Sequence, residues 1–112
     1  MSVSDAKTID MWGIPKWDNN KIILGIADHL EWGDKAEQGE HLLVLQEKIN
    51  NYIAFIESGE IYIEIPGARG KSPIILVQGQ YALPKQGELL IDRVAETLKG
   101  VGIGFEFVLI AD

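Results

Sequence analysis

In Glu60-Ile61-Tyr62-Ile63-Glu64-Ile65 every second residue is isoleucine, with Tyr62 and Glu64 set between them. Strict alternation over a short run is the period of a half-buried strand, whose successive side chains point to opposite faces of a sheet. Pro66-Gly67 closes the run with turn chemistry. Counted as a strand, this segment pairs as a hairpin with the run Ile74–Leu83 that follows the loop Pro66–Pro73. It therefore sets both the number of strands and their direction.

The segment before it has the other period. Leu42, Leu45, Ile49, Tyr52, Ile53 and Ile56 recur at spacings of three and four, while Glu47, Lys48, Asn50, Asn51 and Glu57 take the opposing positions. That is one buried stripe on an amphipathic helix, placed at Glu40–Ser58. Gly59 suits the left-handed position that closes it. Asp34 and Glu37 have the D-x-x-E spacing of a capping box. Gly39 lies between and costs about 1 kcal/mol against Ala within a helix, so an extra turn before Glu40 stays open.

Toward the N-terminus, Thr8–Ile14 and Ile22–Ala27 are Ile-rich runs separated by Pro15-Lys16-Trp17-Asp18-Asn19-Asn20, a hairpin pattern. Toward the C-terminus, Pro84-Lys85-Gln86-Gly87 breaks the chain. Leu90, Val94 and Leu98 then mark a second helix through Lys99, closed by Gly100. Ile103, Phe105, Phe107 and Leu109 alternate with Gly104, Glu106, Val108 and Ile110. A strand apolar on both sides is expected at the centre of a sheet. The order is β-β-α-β-β-α-β. The expected fold is an α+β, two-layer single domain over residues 1–112, with a mostly antiparallel five-stranded sheet and two helices packed on one face.

Apolar residues make up 46% of the chain and charged residues 24%, the balance of a folded globular domain rather than a disordered one. There is no cysteine, which removes disulfides, thiolate nucleophiles and cysteine-ligated metals. The start, Met1-Ser2-Val3-Ser4-Asp5, shows no signal-peptide pattern, and no apolar run reaches the ~18 residues of a membrane span. A cytoplasmic address is the expectation. The net charge of -7 opposes nucleic-acid binding, which rests on Lys and Arg at phosphates. It favours encounter with a basic protein.

Acids recur every third residue at Asp28, Glu31, Asp34, Glu37 and Glu40, and both histidines, His29 and His41, flank the stretch. Asp28, His29, Glu31 and His41 offer imidazole and carboxylate ligands for a metal, but their spacing matches no established metal motif. His29 between Asp28 and Glu31 could serve as an acid or base, although no serine stands in a nucleophile pattern. Acids at a helix start also have a plain electrostatic role, since each interacts with the helix dipole by about 0.3–1 kcal/mol. Neither Gly67-Ala68-Arg69-Gly70-Lys71-Ser72 nor Gly100-Val101-Gly102-Ile103-Gly104 has the spacing of a phosphate or dinucleotide loop. Trp12, Trp17 and Trp32 gather in the first third of the chain. An exposed tryptophan beside carboxylates is the composition of a protein-binding surface.

The runs Asp28-His29-Leu30-Glu31-Trp32 and Leu45-Gln46-Glu47-Lys48-Ile49-Asn50-Asn51-Tyr52, with Phe55-Ile56-Glu57-Ser58-Gly59 after them, resemble a family of small bacterial proteins of uncharacterised function. This chain carries extra residues between Trp32 and His41. The resemblance implies no activity and transfers no catalytic residue. In being small, acidic and cysteine-free the chain is also similar in type to immunity proteins that neutralise toxin domains. The expected function is a protein-binding module such as an immunity-type inhibitor of a basic toxin domain. Its expected partner surface is Asp28, His29, Glu31, Trp32, Asp34, Glu37 and Trp17, with no cofactor and no metal. The alternatives are a small metal-dependent or hydrolytic enzyme using Asp28, His29 and Glu31, and a homo-oligomer in which the last strand or first hairpin pairs between chains.

Overall fold

The computed structural model describes residues 3–5 and 8–110. Its elements in chain order are β1 (Met11–Gly13), β2 (Lys21–Asp28), α1 (Lys35–Glu57), α2 (Glu60–Glu64), a 3₁₀ turn at Pro66–Ala68, β3 (Ser72–Gly79), α3 (Lys85–Lys99) and β4 (Gly104–Leu109). The strands form one sheet in the order β1-β2-β3-β4. Only β1 and β2 run antiparallel; β2 with β3 and β3 with β4 are parallel. The chain is α+β, but the expected five-stranded, mostly antiparallel sheet with two helices and the order β-β-α-β-β-α-β is wrong. Among the described residues the order is β-β-α-α-β-α-β, with four strands in the sheet and three α-helices.

The difference traces to Glu60–Ile65. Gly59 takes φ +82°, turning the chain sharply at the end of α1, and the Tyr62 N–H bonds back to the Gly59 carbonyl. Ile61 and Ile65, four apart, bury together, and Ile63 is left 74% exposed. Over so short a window a strand and a helix both place positions i and i+4 on one side, so the alternation could not separate them. With no strand at Glu60–Ile65 there is no hairpin for β3. It pairs instead beside β2 after a crossover through α1, as parallel strands require.

Two successive crossovers, β2 to β3 and β3 to β4, step the same way across the sheet, and right-handed crossovers then set their helices on one face. The core agrees. Ile22, Leu24, Ile26, Ile75, Val77 and Phe105 from the sheet share one cluster with Leu45, Ile49, Tyr52 and Ile56 of α1 and Leu98 of α3. The alternate residues Ile23, Ile74, Leu76 and Val108 fall outside that cluster and lie on the opposite face of the sheet. The last strand, expected at the centre, is an edge. Among the described residues, no helix is long and apolar enough to cross a membrane.

A polar anchor ties the segment before β1 to this core. The Lys48 ammonium, wholly buried, donates to the carbonyls of Asp5 and Thr8 and to Asp10 Oδ1 at 2.8 Å. Asp10 Oδ2 accepts from the Ala27 N–H at 2.9 Å, and the Asp10 N–H donates to the Tyr52 hydroxyl at 2.8 Å. Tyr52 in turn donates to the Gly25 carbonyl at 2.5 Å. Burial pushes the Tyr52 phenol up from its ordinary value, and the Asp10 charge adds to the rise against a backbone hydrogen bond that lowers it. Lys48 belongs to the buried stripe of α1, not to the solvent side on which its charge placed it.

Candidate binding site

Helix α1 begins as its sequence specifies. Asp34 Oδ1 accepts from the Glu37 N–H at 2.9 Å, and Glu37 reaches back to the Asp34 N–H, a complete capping box that starts the helix at Lys35. Gly33, at φ +58°, makes room for this return, because a Cβ there would lie 2.6 Å from the Glu37 carboxyl. The acidic loop between β2 and α1 is thus closely organised.

Beneath it lies a buried node. His41 Nε2 sits 2.6 and 2.8 Å from the two oxygens of Asp28, and its Nδ1 lies 3.3 Å from the Glu31 carbonyl. Asp28 also accepts from the Leu30 N–H at 3.2 Å. The Trp32 ring stacks on His41 with centroids 3.6 Å apart and planes 17° from parallel. The carbonyl can only accept, so Nδ1 carries a hydrogen when that bond forms, and Nε2 is spent on Asp28. Both ring nitrogens are committed to the protein. The node clasps the end of β2 to the first turns of α1, with both nitrogens of the His41 ring held by protein groups.

The residues singled out by sequence therefore divide. Asp28 and Trp32 are buried in the node, while His29, Glu31, Asp34 and Glu37 are exposed. Glu31, Glu37 and Glu40 line a hollow of about 290 Å³ together with Leu30, His41 and Val44. Trp17, 69% exposed, lies near Lys21, Pro73 and Lys99 at the opposite end of the sheet. The length of β2 separates the two groups by roughly 25 Å, so they do not form one patch. Among the described residues no three His, Asp or Glu side chains gather as a metal-binding set. Asp28, His29, Glu31 and His41 yield the Asp28–His41 pair alone.

A larger cleft, of about 710 Å³, opens between β1 and the corner where α1 meets α2. Trp12, 52% exposed, stands at one wall. Ile9, Ala54, Phe55 and Ile65 give it an apolar lining, and Asn51, Ser58, Glu60 and Glu64 supply polar groups. Glu60 and Glu64, one helical turn apart on α2, are both exposed, and among the described residues neither pairs with a cation.

Residues 1–111 match a family of unknown function, DUF6572. The chain belongs to that family. A search of curated proteins returned no match, and neither did a search of solved structures. Membership of DUF6572 accounts for nearly the whole chain and assigns it no activity. Of the cleft residues in this DUF6572 chain, Trp12 was visible in the sequence only as one of three tryptophans. Glu60 and Glu64 were hidden by the strand assignment, which sets them about 13 Å apart along a strand rather than one helical turn apart.

Proposed function

We propose that this chain is a protein-binding module that receives a basic, partly apolar segment of another protein, with an immunity-type inhibitor of a basic toxin domain as its concrete form. The observation that carries it is the Trp12-walled cleft, where two exposed carboxylates, Glu60 and Glu64, stand beside an apolar lining and pair with no cation among the described residues. An exposed tryptophan against an apolar floor is the anchor type that dominates interface energetics. The two cleft carboxylates favour positive charge, and the net charge of -7 steers a basic partner toward the surface. The same charge works against nucleic acid and against anionic membrane surfaces.

The test is a titration of labelled basic peptides bearing Arg and Leu, with acidic peptides of the same length as controls, followed by fluorescence anisotropy at low salt. Binding of the basic set is expected, with losses of about tenfold or more for Trp12→Ala and for the pair Glu60→Lys and Glu64→Lys. Trp17→Ala, at the far end of the sheet, should bind as the wild type does. Failure of all basic peptides, or equal affinity in the cleft variants, would exclude the cleft as the binding site. A basic toxin domain that is neutralised by the wild type and not by the Glu60/Glu64 variant would establish the inhibitor form.

A further inference from the structure

Strand β4 is an edge whose sequence is that of an interior strand. From Gly104 to Ile110 it holds a single charge, Glu106, and neither Lys nor Pro. Sheet edges are normally kept from pairing by shortness, by Lys, by Pro or by bulges. The opposite edge, β1, is three residues long and so protected by shortness; β4 has six residues and none of these devices. Val108 and Leu109 are 45% and 48% exposed on its two faces.

The outward hydrogen-bonding groups can be identified. The Ile110 N–H bonds to the Gly79 carbonyl of β3. Backbone groups alternate in direction along a strand, so the even-numbered residues of β4 face β3. The N–H and C=O of Phe105, Phe107 and Leu109 then face away from the sheet, and among the described residues nothing pairs with them.

We propose that this edge is the interface with a second copy of the same chain, the two β4 strands pairing antiparallel about a two-fold axis at Phe107 to give one eight-stranded sheet. That register sets Phe107 opposite Phe107 and Phe105 opposite Leu109 as hydrogen-bonded pairs, which uses every outward group of the strand. It places Glu106 opposite Val108 of the other copy. The nearest alternative centre, Glu106, would set two carboxylates face to face, which is destabilising. The strand is thus self-complementary in backbone and in charge, which is what an isologous interface needs, and a strand with two apolar faces becomes interior. The interface is separate from the Trp12 cleft and does not depend on what that cleft binds.

The experiment is sedimentation equilibrium of the full chain with three variants, each checked by circular dichroism. The wild type should sediment at twice its 12.4 kDa chain mass. Leu109→Pro removes one outward N–H from each copy without touching the β3 ladder, and should weaken the dimer about tenfold to hundredfold. Val108→Glu, facing Glu106 of the other copy, should also weaken it, whereas Val108→Lys should hold the dimer at least as tightly as the wild type. A wild type that remains at 12.4 kDa up to millimolar concentration overturns the proposal. So does a dimer indifferent to Leu109→Pro, which would place the contact elsewhere. Equal weakening by Val108→Glu and Val108→Lys overturns the register.

Discussion

Lys48 shows how one residue can reverse its role between sequence and structure. Its spacing, three after Leu45 and four before Tyr52, lies on the buried stripe of α1, and only its charge argued for solvent. What the sequence cannot show is that Asp10 and two carbonyls come from another part of the chain to receive it. Lys48→Met removes the cation and strands the Asp10 carboxylate beneath the surface, so the expected loss is about 3–5 kcal/mol in chemical denaturation. Tyr52→Phe leaves the Gly25 carbonyl and the Asp10 N–H without their partner, an expected loss of about 2–3 kcal/mol. Tyr52 also carries a pH signature. Its phenol is raised in the fold, so the native state keeps a proton that the unfolded chain releases above the ordinary value of about 10. The stabilisation is complete below that pH and is lost as pH rises through the folded value. Denaturation melts from pH 9 to 12 should show the wild type losing its advantage over Tyr52→Phe as the solution becomes alkaline.

Elements were legible where local chemistry alone determines them. Asp34 and Glu37 announced the capping box, and the structure closes it with both hydrogen bonds. Asp34→Ala should therefore lower stability by about 1 kcal/mol, read as a fall in melting temperature. Gly39 did not stop the helix, because the capping box before it and the stripe after it support the turn that contains it. The element that misled was Glu60–Glu64, whose period is ambiguous over so few residues and whose helical form depends on Gly59 turning the chain. The terminal strand failed in another way. Its residues were correctly assigned to a strand, but its place in the sheet depends on where two crossovers deliver it, which no local pattern encodes.

For the molecule as a whole, charge was legible and direction was not. Composition identified an acidic chain, yet the parallel pairing of β2, β3 and β4 followed only once a helix replaced the supposed hairpin strand. The candidate site was half visible, since the acidic loop is written in one run and the Trp12 cleft is assembled from three separate segments. These two acidic regions should act at different stages of binding a basic partner. Charge reversal at Glu31, Asp34 and Glu37, on an exposed loop, should slow association at low salt and lose its effect at high salt. Reversal at Glu60 and Glu64, inside the cleft, should chiefly speed dissociation; stopped-flow and surface plasmon resonance would separate the two rates. The buried anchor also imposes an order of events during synthesis. Asp10 leaves the ribosome 42 residues before Tyr52, a delay of roughly 2–8 s at typical elongation rates of about 5–20 residues per second. Until then the Asp10 N–H lacks the Tyr52 hydroxyl, and for nearly as long its carboxylate lacks Lys48, so the segment before β1 must wait for α1 before it can be secured.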